Sequence, residues 1–240
     1  MTFVKRFVLL ITLFTLATGS LKADALAIDL TQISVGINGG FPNIVNGGFS
    51  NVASPFQNSV SRTILQSTAQ ASYDFNWTVQ MASFLIDSSI SCQGPVSAAS
   101  FRCGSTGQIV VTTTSDVILH SDIGLSWNLA PGDRQGILDF DVIRTGSPNT
   151  TIHNRSFGHS NINGGPPNGS FGYLDSTLLP AGGQYVLLYA INFTSFSGSP
   201  TALSTGTSHI GLHLEPVPEP ATLGPLAGAI IPLACRRQRH

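Results

Sequence analysis

Gln108-Ile109-Val110-Val111-Thr112-Thr113-Thr114-Ser115-Asp116-Val117-Ile118-Leu119 is the stretch on which the fold turns. Val, Ile and Thr are stiff at χ1 and favour a pleated, extended backbone over a helix. Apolar and polar residues alternate along it with a period near two, which turns one face of a strand to a core and the other to solvent. The same alternation recurs over 136–145, 184–194 and 207–215.

Turn clusters separate these segments: Ala130-Pro131-Gly132-Asp133, Gly146-Ser147-Pro148-Asn149 and Leu179-Pro180-Ala181-Gly182-Gly183. Many short strands punctuated in this way predict an all-β chain, an antiparallel β-sandwich of jelly-roll-like character in one domain. No segment after Ala25 combines caps with an amphipathic helical period, and only 59–71 reads either way. Two stretches read as loops. One is 36–59, where Asn38-Gly39-Gly40-Phe41 is echoed by Asn46-Gly47-Gly48-Phe49 as a paired turn. The other is 158–172, with Asn163-Gly164-Gly165-Pro166-Pro167-Asn168-Gly169.

Composition agrees with an uncharged sandwich. Of 240 residues, 42% are hydrophobic and only 10% charged, with 25 Gly, 14 Pro and a net charge of −1. A typical domain carries about 25% charged residues, so neutral Ser, Thr, Asn and Gly must keep this surface wet. At this near-neutral charge a nucleic-acid partner is not expected, because phosphate neutralisation requires clustered Lys and Arg.

The two ends read as addresses. Lys5 and Arg6 precede an apolar run over 7–17 and the small residues Ala23 and Ala25, the plan of a secretory signal peptide over 1–25 with cleavage after Ala25. Without it, residues 26–216 form the β-sandwich domain. They hold Arg62, Arg102, Arg134, Arg144 and Arg155 against nine Asp and Glu215, a net charge of −5, and no Lys. Such a surface does not suit anionic partners, and Schiff-base chemistry on Lys is excluded.

At the other end, Val217-Pro218-Glu219-Pro220-Ala221-Thr222-Leu223 leads into a mostly apolar stretch over 221–235, followed by Arg236-Arg237-Gln238-Arg239-His240. Prolines disfavour helix before the apolar stretch, and the arginines form a cationic stop held on the cytoplasmic side. Residues 217–240 resemble the PEP-CTERM sorting signal of exported bacterial proteins. The resemblance implies that an exosortase-like enzyme of the inner membrane recognises Pro218, Glu219 and Pro220. It further implies a transmembrane segment over 221–235, inserted transiently, with retention by Arg236, Arg237 and Arg239. The expected destination is the cell surface or extracellular matrix, in association with exopolysaccharide and biofilm material and other matrix proteins.

Cys92 and Cys103 flank a Gln-Gly-Pro turn in a chain that meets an oxidising compartment, so a disulfide between them is expected. Cys235 lies in the tail. Neither Gly-x-Ser-x-Gly nor His-Glu-x-x-His occurs, and a phosphate-cradling Gly-Lys-Ser/Thr loop cannot exist in a domain without Lys. On a strand His209 and His213 stand about 13 Å apart, too far for one metal. Asp139 and Asp141, about 6.6 Å apart on one strand face, with Asp133 in the preceding turn, have a spacing compatible with a carboxylate-pair hydrolase or with calcium. Any strand with a wet face has the same spacing, however.

No catalytic residue, metal ligand or cofactor is therefore assigned, and a non-enzymatic structural or adhesive role is expected. The alternative is a carbohydrate-binding module that stacks sugars on Trp77, Trp127, Tyr173 and Tyr185. An exported glycan hydrolase or lyase ranks last.

Overall fold

The fold is described from a computed structural model, which covers residues 24–38, 44–64, 66–93, 100–130, 134–160, 166–196 and 203–218. Ala23 and the sorting residues Glu219, Pro220, Arg236, Arg237 and Arg239 lie outside the described residues, as does Asp133. The strands are β1 (Leu26–Asn38), β2 (Ile44–Ser50), β3 (Phe56–Ile64), β4 (Ser67–Trp77), β5 (Ala82–Cys92) and β6 (Ser100–Thr113). They continue with β7 (Val117–Asn128), β8 (Arg134–Arg144), β9 (Thr150–Ser160), β10 (Asn168–Leu179), β11 (Gln184–Phe196) and β12 (Ser204–Pro216).

Two six-stranded sheets result, ordered β2-β1-β6-β11-β8-β9 and β10-β7-β12-β5-β4-β3. Every pairing is antiparallel. The expected all-β, antiparallel, two-sheet architecture is what forms, and it is jelly-roll-like in the way the chain passes repeatedly between sheets. Alternation supplies the core. From the first sheet come Ile33, Val35, Ile109, Val111, Leu138, Phe140, Leu187 and Ile191, and from the second Tyr73, Phe75, Phe84, Ile86, Ile123, Ile210 and Leu212, all buried.

The opening stretch is two strands and not one. β6 ends at Thr113 and β7 begins at Val117, in the other sheet. Ile109, Val111 and Thr113 face the core from one sheet, and Val117 and Leu119 from the other, so the period of two runs unbroken through a change of sheet. Among the described residues both expected loops are largely strand. The first holds the end of β1, all of β2 and the start of β3, with Asn46-Gly47-Gly48-Phe49 inside β2. The second holds the end of β9 and the start of β10, while its residues 161–165 lie outside the described residues. Residues 59–71, ambiguous in sequence, belong to the β3–β4 hairpin.

Two further expectations are overturned. No disulfide joins Cys92 and Cys103: their Sγ atoms are 2.9 Å apart, against about 2.05 Å for an S–S bond. The Cys103 thiol donates to Cys92 Sγ, which itself contacts the Phe193 carbonyl at 3.6 Å. The two cysteines are buried on the facing sides of β5 and β6, in opposite sheets, where they pack as small apolar groups. The contact with Cys92 and burial together push the Cys103 thiol pKa far up.

The transmembrane expectation is likewise corrected: among the described residues no helix is long and apolar enough to cross a membrane. The stretch 221–235 lies outside them. Its 15 residues would rise only about 22 Å as a helix, short of a hydrocarbon core of about 30 Å.

Candidate functional site

The outer face of the second sheet brings together three histidines and three carboxylates. β12 alternates His209, Gly211, His213 and Glu215 outward against the buried Ile210, Leu212 and Leu214. Register then supplies neighbours that sequence spacing could not. Asp87 on β5 stands opposite His209, with 2.7 Å between His209 Nδ1 and Asp87 Oδ1. Asp122 on β7 lies on the other side, 3.9 Å from His209 Nε2.

His120 on β7 is directly opposite His213 on β12, and the rings stack at 6.2 Å. Glu215 approaches both, at 3.2 Å from His120 Nε2 and 3.6 Å from His213 Nε2. Two shallow grooves flank His209. One, of about 680 Å³, runs past Leu174, His120, Asp122 and Gly211, where the missing side chain opens the floor. The other, of about 540 Å³, is lined by Gln70, Ser72, Ser126, Ser170 and Thr207.

Ser176, His120 and Glu215 form a relay, with Ser176 Oγ 2.7 Å from His120 Nδ1. A Ser–His–acid order suggests acyl transfer, but that chemistry needs N–H donors beside the nucleophile to hold an oxyanion. The nearest, the Ser176 N–H, donates to Asp175 Oδ1 at 2.8 Å. His120 and Glu215 are each more than two-fifths exposed, so water screens the relay. It ties β10, β7 and β12 together across the sheet face.

The sequence candidates are dispersed. Asp139 and Asp141 share the outer face of the other sheet, where Asp139 accepts from Ser156 and Asp141 from Asn154 on β9. Both carboxylates are thus engaged in cross-strand hydrogen bonds. His209 and His213 share a strand face as expected, and among the described residues no group of three His, Cys, Asp or Glu is arranged to hold a metal. The four aromatics form no platform. Tyr185 is buried, its hydroxyl donating to the Pro180 carbonyl at 2.7 Å, and Trp77 packs on Phe84.

Trp127 stacks on His159 and Tyr173 on His153, closing the side of the sandwich between β9 and β10. There Arg155 lies over the Tyr173 ring, 4.8 Å from its centroid. The Tyr173 hydroxyl donates to Asp175 and sits 3.1 Å from His153 Nε2. That hydrogen bond, with the Ser176 N–H, holds the Asp175 pKa below the usual carboxylate value. Of the expected cleavage residues, Ala25 is described: it is buried, and its carbonyl accepts from Thr114 N at 3.0 Å.

The class these observations define is an antiparallel two-sheet sandwich with flat, hydrogen-bonding outer faces. No family model matches the chain, and no curated protein does. Among solved structures it shows similarity to infectious bursal disease virus, Gx strain, at 9% identity and a TM-score of 0.21, covering 88% of this chain and 74% of that one. The Gt strain matches at 10% identity and a TM-score of 0.19, over 85% of this chain and 63% of that one.

Proposed function

We propose that the chain is an exported cell-surface or extracellular-matrix protein, sorted through its PEP-CTERM-like tail and acting as a non-enzymatic structural or adhesive component of exopolysaccharide or biofilm material. The observation that carries this reading is the outer face of β5, β12 and β7. Its grooves are open and shallow, and hydroxyls, carboxylates and imidazoles line them in rows. Such a face offers many modest hydrogen bonds to a hydroxyl-rich polymer and no single deep pocket, which suits display in many copies. Further support comes from the ends of the sandwich. β1 begins at Leu26, beside the expected cleavage site, and β12 ends at Pro216, two residues before Pro218. On this reading the sandwich occupies the chain between the two address segments.

An exosortase-like enzyme acting on Pro218, Glu219 and Pro220 is the partner this reading requires. Fractionation of the native host, followed by mass spectrometry of the C-terminal peptide, tests it. Cleavage at Asp or aromatic residues is needed, because no Lys or Arg lies between Arg155 and Arg236. The expected result is a terminus near 218–220 in surface or medium fractions. A terminus at His240 in a soluble fraction overturns the sorting claim.

A further inference from the structure

β10 is the edge of its sheet and hydrogen-bonds through its ladder to β7 alone. Long edge strands invite pairing unless charged side chains, Pro or a bulge blunt them. β10 has twelve residues, none of them Lys or Pro, and its register against β7 is unbroken. Its outward side chains include Leu174, 77% exposed, and Leu178, 50% exposed, the largest apolar exposures on the strand. Its only charge is Asp175, on the opposite face, whose Oδ1 occupies the N–H of Ser176.

We propose that two copies of this chain associate through β10, pairing it antiparallel with β10 of a second copy about a two-fold axis at Leu174. Three registers that keep like faces together decide the point. Centring on Asp175 would set two carboxylates opposite each other, which repels. Centring on Ser176 places Asp175 opposite Thr177 and gains no charge partner. Centring on Leu174 puts the two most exposed leucines against each other and sets each Asp175 opposite Tyr173 of the second copy, whose ring carries the Arg155 guanidinium.

Charge complementarity therefore selects the Leu174 register, and two-fold symmetry makes the pairing reciprocal. The Ser176 N–H then passes from Asp175 to the Gly172 carbonyl of the second copy, and the carboxylate turns to that copy's Arg155. The inference concerns association alone and stands or falls independently of sorting.

The test uses the purified full chain, with mass measured by light scattering across a dilution series and variants checked for folding by circular dichroism. A dimer is expected, weakened about tenfold or more in dissociation constant by Leu174→Lys. Under mild oxidant Leu174→Cys should cross-link and Ser176→Cys should not, since only residue 174 meets itself across the axis. Arg155→Asp and Asp175→Arg chains should each associate poorly alone and recover on mixing. A monomer at every concentration overturns the proposal. So does a dimer that is indifferent to Leu174→Lys, or one that cross-links through position 176 instead of 174.

Discussion

Gly206 is glycine because Phe193 fills the place of its side chain: a Cβ built there would fall 1.9 Å from Phe193 Cζ. Phe193 reaches it from the facing sheet, so this contact is a knob seated in a hole across the core. Gly206→Ala should destabilise by about 1–3 kcal/mol through overpacking. Urea unfolding measures it, and adding Phe193→Leu should recover part of the loss. His153, with a side chain only 9% exposed, makes a second prediction. Burial lowers its pKa, against the Asp175 carboxylate, which raises it. The unfolded chain therefore takes up the proton first, near pH 6.5. The stability His153 contributes is complete above that value and is lost as pH falls from it through the lower folded-state value. His153→Gln should flatten the dependence of the unfolding midpoint on pH in that window. Neither contact was legible in sequence, because both join residues of different sheets. His209 and His213 show how far spacing goes: it placed them on one strand face, but their partners Asp87 and His120 are set by register.

At the scale of elements, the turn between β10 and β11 is held by Thr113 at the end of β6. Its hydroxyl donates to the Pro180 carbonyl at 2.9 Å, its N–H donates to Gly183 O, and Gly182 N donates to its carbonyl. Gly182 takes a φ of 69°, which a side chain resists. Thr113→Val keeps the shape and removes the hydroxyl, and should cost about 0.5–1.5 kcal/mol, one hydrogen bond, because the Tyr185 hydroxyl still donates to the Pro180 carbonyl. Hydrogen exchange should rise first at Gly182 and Gly183. At the sandwich's other side, Arg62 of β3 lies against Gly47 and donates from Nε to the Asn46 carbonyl at 3.1 Å, tying β3 to β2 across the gap between sheets. Arg62→Ala should speed exchange in β2 while leaving β8 and β11 unchanged. β8, β11 and β12 were legible as strands because each is half-buried and alternates cleanly. β2 was not. Its Asn-Gly-Gly run carries turn chemistry, and only the close approach of Arg62 and of the β1 backbone explains glycine there.

For the whole molecule, thiol chemistry gives a count that follows both packing and processing. Cys92 and Cys103 are buried, so a water-soluble thiol reagent should leave them unmodified until denaturant is added. The denatured 240-residue chain should then titrate three thiols, and a chain ending near residue 220 should titrate two, since Cys235 lies beyond. Architecture was legible at this scale. Low charge, period two and Gly/Pro punctuation led to an antiparallel sandwich, but the same pattern hid the switch of sheet between Thr113 and Val117. The proposed function was read from the two ends of the chain, and the sandwich between them adds hydrogen-bonding faces.

The strand order has a consequence in time. β1 has only the short β2 beside it until β6 arrives, and Leu26 meets Thr113, 87 residues further along the chain. β6 in turn waits for β11. Folds dominated by such distant pairings close slowly, because loop entropy must be lost before any contact rewards it. On the exported reading, that delay keeps the polypeptide threadable: it can pass a narrow translocation pore as an extended chain and condense only once its last strand, β12, has emerged.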